Sequence, residues 1–324
     1  SDVSDFEIQR LAMKFSNQYR KNLSAVKTEL IAEDLNQNQF VSFYKGLLLG
    51  TYEYPFKKDH PVLQAEFSLY YKDENITQSE FHRQTSVLLD SQSLCQEWLN
   101  KPANFKNPEI LTEFLKDFSN ENNLKYTVFN RQKCEEIGLG AYLAVNQGSA
   151  YDAAFTVLEY NSGKENAKTI GLVGKCVTFD TGGISIKGSE NMHYMKSDMG
   201  GATAVLGALS YVSKMKLPVN IVAILPITDN AVSEKSYLPS DVVTAYNEKT
   251  IEVLNTDAEG RMTLADALSY LSKNYKTDAL IDLATLTGSA VRMFGDTCAA
   301  MFSNNAEMRD ALTKSGDKTG QRVW

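Results

Sequence analysis

The chain has 324 residues, of which 43% are hydrophobic and 23% charged, and its formal net charge is −7. This balance is that of an ordinary globular protein and argues against wholesale disorder, collagen and coiled coil. The acidic balance gives no electrostatic footprint for nucleic acid and no basic patch for a membrane. At about 150 residues per domain, the length predicts two domains.

Targeting signals and covalent cross-links are not evident in the sequence. No apolar run approaches the ~20 residues that a membrane span needs, and the acidic first residues do not resemble a signal peptide. The four cysteines are scattered without CxxC spacing, so we expect a reduced protein of the cytoplasm. The three histidines form no spaced pair, and a His-rich zinc site is therefore not expected.

The N-terminal part is predicted to be a small α/β domain over residues 1–83. Apolar positions recur every three to five residues from 6 to 35, which predicts a helix over residues 6–35. A second helix is predicted over residues 40–49, and the alternation in residues 63–71 suits a strand. This domain contains no obvious chemistry.

A connecting helix is predicted over residues 79–100, and strands then alternate with helices. The predicted helices cover residues 108–120, 198–213 and 258–271. The predicted strands cover residues 125–129, 170–173, 219–227 and 279–283. The run 219–227 is so apolar that it is typical of a strand buried on both faces. The alternation predicts an α/β layer architecture.

Seven of the charged side chains in two stretches, residues 172–201 and 255–261, are candidates for chemistry, because predicted strands end and helices begin there. They are Lys175, Asp180, Lys187, Asp198, Asp257, Glu259 and Arg261. Because open α/β sheets place their sites at strand ends, these side chains are candidates for one site.

The carboxylates among these residues would repel one another if they converged, and divalent cations would neutralise them most readily. A site rich in carboxylates and free of histidine suits Mg²⁺ or Mn²⁺, and Zn²⁺ also accepts carboxylates. Two cations ~3.5–4 Å apart would clamp a carbonyl and activate a water. Lys187 and Arg261 would then stabilise a developing oxyanion, whereas Lys175 could bind a metal only as the neutral amine.

Each carboxylate also has a purely structural interpretation. Asp180 before two glycines is typical of a turn, and Asp198 of a helix cap. Asp257 and Glu259 are typical of a helix start, where acids are favoured by the dipole. Cys176 is interpreted as a small buried residue and not as a thiolate ligand.

Two further patterns allow more than one interpretation. The glycine pairs at 182–183 and 200–201 could cradle a phosphate, but no GxxxxGK[ST] motif is present, and close packing around metals explains them better. The spacing of Met192, Met195 and Met199 could line an apolar side-chain pocket, although such stripes more often belong to a core.

The ordered string of motifs resembles the cytosol (leucyl) aminopeptidase family. Residues 255–261, Asn-Thr-Asp-Ala-Glu-Gly-Arg, match the family's signature almost letter for letter, and residues 173–187 and 195–202 match the rest of its site. Shorter matches lie at residues 101–104, 138–149 and 282–288. The resemblance covers about residues 84–324.

The resemblance implies a catalytic α/β domain with a mixed central sheet between helices, over residues 104–324, preceded by a connecting helix over residues 84–103. The family pattern starts before residue 1 and continues past residue 324, so we expect both domains to be incomplete in this chain. A homohexamer is also implied.

The same resemblance implies a metal-dependent aminopeptidase that releases N-terminal, preferably leucine-like, residues from peptides with a free N-terminus. Asp180 and Glu259 would bridge two divalent metals, zinc or manganese, with magnesium or cobalt as alternatives. Asp257 would complete the more exchangeable site, and Lys175 and Asp198 the tighter one.

The remaining two residues have implied catalytic roles. Lys187 would contact the substrate carbonyl and stabilise the tetrahedral intermediate, and Arg261 would hold a bicarbonate ion that acts as general base. Two other functions stay open as alternatives: another carboxylate two-metal hydrolase acting on phosphate esters, and a nucleotide- or DNA-binding module, which the acidic charge disfavours.

Overall fold

The computed structural model describes residues 3–32, 34–52, 54, 56, 67–72, 74–76 and 79–324. No helix in these ranges has both the length and the apolar character needed to cross a membrane. The chain divides into two compact units, one of residues 1–85 with 286–324 and the other of residues 86–285. The domain limits at 83 and 103 expected from the sequence stay a prediction.

Helices and strands are interspersed along the described residues. The α-helices are α1 (Asp5–Gln18), α2 (Arg20–Ala25), α3 (Gln37–Gly50), α4 (Glu80–Asn100), α5 (Pro108–Glu121), α6 (Arg131–Ile137), α7 (Gly140–Asn146), α8 (Gly200–Lys214), α9 (Glu259–Asn274), α10 (Gly288–Phe294) and α11 (Ala306–Thr319). The strands are β1 (Thr28–Ala32), β2 (Phe67–Tyr71), β3 (Glu74–Asn75), β4 (Lys125–Phe129), β5 (Ala154–Tyr160), β6 (Thr169–Gly174), β7 (Cys176–Asp180), β8 (Asn220–Asn230), β9 (Val242–Thr244), β10 (Thr250–Glu252), β11 (Ala279–Leu283), β12 (Cys298–Ala299) and β13 (Arg322–Val323).

The first unit corrects one expectation and confirms two. The helix predicted over residues 6–35 is wrong in its last part, because the helical segments end at Ala25 and β1 follows. Strand β1 pairs in parallel with β2, Thr28 opposite Phe67, and so remote a partner is invisible to local periodicity. The helix predicted at 40–49 is confirmed as α3. The strand predicted at 63–71 is confirmed from Phe67, and its first residues lie outside the described part.

The second unit contains a mixed sheet, which confirms the predicted fold class. The strands lie in the order β11-β6-β8-β5-β4, and β7 pairs with the end of β8. The pairs β11–β6, β6–β8 and β7–β8 are parallel, whereas β5 runs antiparallel to both of its neighbours. The helices and strands predicted for this unit are confirmed, with ends that shift by at most three residues.

Helices cover both faces of this sheet. Alternate residues of a strand point to opposite faces, and the two sets of alternate β8 residues belong to different core clusters. Ile221 and its alternates pack with side chains of α5 and α8, and Val222 and its alternate pack with side chains of α7 and α9. Residues 221–228 are all buried, which confirms the strand buried on both faces.

The parallel strands bring the chemistry to one edge of the sheet. Strands β6, β7, β8 and β11 share one direction, so their carboxyl ends lie along the same edge. Lys175 follows β6, Asp180 ends β7, Asn230 ends β8 and Thr285 lies just after β11.

Candidate metal centre

The buried half of the site is built around Lys175. Its Nζ lies 2.7 Å from Asp198 Oδ2 and 2.8 Å from Glu259 Oε1, and it donates to the Thr285 carbonyl at 2.9 Å. All three charged side chains are buried. The ammonium group therefore has three oxygen acceptors and no access to bulk water.

The backbone around Lys175 explains how its long side chain fits there. Gly260 lies in the first turn of α9, and a Cβ at this position would stand 2.8 Å from Lys175 Nζ and 2.7 Å from Cε. Glycine at 260 therefore leaves the volume that the Lys175 side chain occupies.

Asp198 serves this cluster and does not cap a helix. It follows a 3₁₀ helix, Met192–Ser197, and α8 begins without a side-chain cap. Its Oδ1 accepts a hydrogen bond from the Thr285 hydroxyl at 2.7 Å, and its Oδ2 faces Lys175. The interpretation of Asp198 as a mere helix cap is therefore wrong.

The open half of the site is built around Lys187. Its Nζ lies 2.8 Å from Asp180 Oδ2 and also pairs with Asp257 Oδ1. The intervening turn has Gly182 at φ +88° and Gly183 at φ +64°, a backbone conformation that favours glycine. The Gly182 N–H donates to Asp180 Oδ1 at 2.8 Å, so Asp180 also has the turn role expected of it.

The two halves meet through three carboxylates. Asp180, Asp198 and Glu259 each offer one oxygen within 4.8 Å of the others. With Asp257, four carboxylates face two ammonium groups, so the fully ionised cluster carries an excess of negative charge. Glu259 Oε2 is buried and has no hydrogen-bond partner among the described residues.

Electrostatics in the buried half are strongly coupled. Burial raises the pKa of Asp198 to about 7, with Glu259 adding to this rise and Lys175 opposing it. Burial also raises the pKa of Glu259. For Lys175, burial alone would lower the pKa, but the two carboxylates outweigh it and raise the pKa above its usual value. Additional positive charge would therefore stabilise the carboxylates in their ionised form.

The donor set fits divalent cations. Buried carboxylates with an unpaired oxygen are costly unless a cation or donor satisfies them. Carboxylate oxygens are ligands for Mg²⁺, Mn²⁺ and Zn²⁺, and Lys175 would join them as a neutral amine. Asp257 is more exposed and reaches the cluster through Lys187.

The remaining predicted residues differ in their surroundings. Arg261 is exposed in the first turn of α9 and makes no hydrogen bond or ion pair within the described part of the chain, so its role stays a prediction. Met199 is fully buried in the core, whereas Met192 and Met195 are half-buried. Cys176 is confirmed as a buried residue, and burial raises the pKa of its thiol.

Sequence reasoning missed four residues that support the site: Tyr237, Thr256, Asn230 and Thr285. Asn230 Nδ2 donates to Asp180 Oδ1, and the Tyr237 hydroxyl donates to the Thr256 carbonyl. The signal available for Asn230 and Thr285 was their position at the carboxyl ends of parallel strands. Thr256 lies within the motif at 255–261 but carries no charge, and nothing in the sequence marked Tyr237.

Comparison with known proteins agrees with this geometry. Residues 93–324 match the model of the cytosol aminopeptidase family, catalytic domain. A probable cytosol aminopeptidase from Chloroherpeton thalassium is 43% identical over 238 residues, covering 74% of this chain and 47% of that protein. Another, from Syntrophotalea carbinolica, is 46% identical over 232 residues, 72% of this chain and 46% of that protein.

One relative aligns with the whole chain. The probable cytosol aminopeptidase from Rickettsia bellii is 35% identical over 328 residues, covering 100% of this chain and 63% of that protein. The matches therefore span about half to under two thirds of the length of these relatives.

Proposed function

Because the chain belongs to the cytosol aminopeptidase family, we propose that it carries the site of a metal-dependent aminopeptidase releasing leucine-like N-terminal residues from peptides. The observation that carries the proposal is the convergence of three buried carboxylates, Asp180, Asp198 and Glu259, beside Lys175. Structural salt bridges alone do not require this excess of buried negative charge.

The residues that would hold two divalent cations are the four carboxylates and Lys175. Asp180 and Glu259 would be shared, Asp198 and Lys175 would complete the buried half, and Asp257 the open half. Cations bound there would polarise the scissile carbonyl and lower the pKa of a water molecule.

Two charged side chains of the chain, those of Lys187 and Arg261, would act on the substrate and on the general base. Lys187 lies at the open half, where its ammonium group would stabilise negative charge that develops on the carbonyl oxygen. A free α-amine on the substrate would, in its neutral form, be a ligand for a cation held at the site, and an internal peptide bond offers no such amine. Exposed Arg261 would hold bicarbonate, the proposed general base.

Assembly and location are part of the same proposal. The four cysteines are free thiols, which agrees with a reducing compartment such as the cytoplasm. We further propose a homohexamer, and light scattering on the eluted peak of a sizing column would test it.

The decisive experiment measures hydrolysis of Leu-p-nitroanilide by chelator-treated protein, with and without added Mn²⁺ or Zn²⁺. We expect hydrolysis that depends on the metal, that is lost with N-acetyl-Leu-p-nitroanilide, and that is lost in Glu259→Gln, which keeps the side-chain shape but removes the charge.

The alternative functions give different outcomes in the same experiment. Metal-dependent hydrolysis of p-nitrophenyl phosphate without any hydrolysis of the anilide would favour a phosphoesterase. Activity of the Glu259→Gln variant equal to that of the wild type would contradict the assigned site.

A further inference from the structure

Asn230, at the end of the central strand β8, contacts two segments of the site: the turn over residues 180–187 and the motif over residues 255–261. It is buried, and its Nδ2 donates to Asp180 Oδ1 at 2.8 Å and to the Thr256 carbonyl at 3.0 Å. Both hydrogens of the amide are therefore committed to two acceptors. The Asn230 backbone carbonyl also accepts from the Thr181 N–H at 3.0 Å and from its hydroxyl at 2.7 Å.

The amide nitrogen of Asn230 satisfies these acceptors, whereas the oxygen of the same amide receives no hydrogen bond from the described residues. Asn230 Oδ1 is buried and has no hydrogen-bond partner among the described residues. A Cβ at Gly183 would lie 2.9 Å from this oxygen, so the glycine turn closes directly over the amide. A buried polar atom without a partner is rare in native proteins and requires an explanation, and here the other end of the same amide is committed to a carboxylate of the site.

Thr256 is the matching connection on the other side. Its hydroxyl donates to the Gly182 carbonyl at 2.7 Å and accepts from the Ser185 N–H at 2.8 Å. Its own N–H donates to the Ser185 hydroxyl at 3.1 Å. Since Thr256 precedes Asp257 directly, these bonds fix the distance between the turn that carries Asp180 and the segment that carries Asp257.

We propose that Asn230 and Thr256 are positioning residues that orient the Asp180 and Asp257 carboxylates for the metals; this inference rests on the proposed function. Asn230 occupies Asp180 Oδ1 from the β8 side and thereby leaves Oδ2 directed at the open half, where Lys187 lies. The Gly182 N–H belongs to the turn that directly follows Asp180, so of these two donors Asn230 is the one that connects the carboxylate group to strand β8.

Calorimetric titration of chelator-treated protein with Mn²⁺ tests this role without any measurement of turnover. Groups that hold metal ligands in place change metal affinity about 10- to 100-fold when they are removed. We therefore expect Asn230→Ala to weaken Mn²⁺ binding by that factor. Asn146→Ala is the matched control, because Asn146 is also buried and donates to two acceptors, Tyr151 and Thr228, that belong to no metal ligand.

A second pair of variants covers the case in which Asn230→Ala does not fold. Thr256→Val keeps the shape and removes the hydroxyl, and we expect weakened Mn²⁺ binding. Thr256→Ser keeps the hydroxyl and is expected to restore it. A merely structural role for Thr256 would affect the melting temperature of Thr256→Val without this loss and recovery of affinity.

The outcomes separate this inference from the proposed function. Wild-type protein that binds Mn²⁺, together with Asn230→Ala or Thr256→Val variants that bind it equally well, would overturn the positioning role alone. Asn146→Ala that loses as much affinity as Asn230→Ala would overturn it as well. Wild-type protein that binds no Mn²⁺ would overturn the proposed function, and this inference with it.

Discussion

Lys175 and Lys187 each pair with two carboxylates, but in different surroundings. The side chains of Lys175, Asp198 and Glu259 are 4%, 7% and 1% exposed, whereas those of Lys187 and Asp257 are 22% and 34% exposed. In water the attraction between a lysine and a carboxylate is weak, and it strengthens as the surroundings exclude water. The same pair of residue types is therefore shielded from water in one half and remains accessible to a substrate in the other.

Burial, and not residue type, therefore distinguishes the two lysines of the site. A buried carboxylate that loses its cation has no water to replace it, so the Lys175 half depends on charge balance. Asp257 beside Lys187 can be hydrated instead, and the buried Asp180 keeps hydrogen bonds from the Gly182 N–H and from Asn230, so the Lys187 half should depend less on its cation for folding. Loss of Lys175 should lower stability as well as metal binding, whereas loss of Lys187 should chiefly lower kcat.

The largest expected effect on stability comes from Lys175→Met. The substitution keeps an apolar stem of similar length but leaves Asp198 and Glu259 buried without their cation. Removing one partner of a buried pair destabilises by about 3–5 kcal/mol. We expect a loss of this size in urea unfolding of metal-free protein at pH 7.5. A loss as small as that in Lys187→Met would erase the contrast between the two halves.

Lys187→Met should show the opposite pattern. Removing a group that stabilises a developing oxyanion lowers kcat about 10²- to 10³-fold, which corresponds to about 2.7–4 kcal/mol in the barrier. The free energy of unfolding should fall by less than in Lys175→Met, because Asp257 is partly hydrated and the buried Asp180 keeps hydrogen bonds from the Gly182 N–H and from Asn230. The measurement is kcat with Leu-p-nitroanilide, beside melting temperatures of metal-free protein.

The control for Lys187→Met is Lys125→Met, which removes a lysine from an exposed ion pair with Glu159 away from the site. It should leave kcat unchanged. Arg261→Ala should resemble Lys187→Met, with a lower kcat and an unchanged melting temperature, because the side chain is exposed. Parallel losses of melting temperature and activity in Lys187→Met and Arg261→Ala would argue against catalytic roles for both.

The sequence predicted that the charged residues converge, but it did not predict the uncharged residues that contact and support them. The charged positions occur in long ordered motifs at strand ends, so the sequence alone sufficed to assign Lys175, Asp180, Asp198 and Glu259 to one site. Asn230 is one uncharged residue at the end of a long apolar strand. Its role depends on two acceptors, one of them 50 positions away, and no local pattern encodes that distance.

The same limit explains the misassigned end of the first predicted helix. Residues 28–32 continue a spacing that is compatible with a helix, but they pair with β2 as a strand. Pairing energy between segments far apart in the chain overrides local propensity. Four strands of the mixed sheet, β4, β6, β8 and β11, were in contrast predicted from their own sequence patterns, whereas β5 and β7 were not predicted.

A second buried lysine, Lys106, differs from Lys175 because it has no carboxylate partner among the described residues. Lys106 is 0% exposed, and its Nζ donates to the carbonyls of Trp98 at 2.8 Å and Leu99 at 3.0 Å, near the C-terminal end of α4. Burial, and to a smaller extent the charges of Lys196 and Lys101, lowers its pKa to about 7, and Cys176 opposes this change. Lys175 is almost as buried, yet its pKa is raised, so the two carboxylates account for the difference.

This difference predicts a pH dependence of stability. Above pH 7 the folded chain releases the Lys106 proton, whereas the unfolded chain keeps it up to its ordinary pKa of about 10.4. The unfolded state therefore binds more protons in this window, and stability rises with pH. Relative to Lys106→Met, the wild type should gain roughly 2 kcal/mol between pH 7 and pH 9, at about 1.36 kcal/mol per pH unit near the upper end.

Urea unfolding of both proteins at several pH values measures this gain, and subtracting one curve from the other removes the titrations that they share. Exposed Lys164 provides the control, since Lys164→Met should run parallel to the wild type throughout. A difference between wild type and Lys106→Met that stays constant from pH 7 to pH 9 would mean that Lys106 remains charged when folded. Two backbone carbonyls would then stabilise a buried ammonium group as effectively as the two carboxylates around Lys175 do, and burial alone would not distinguish the two lysines.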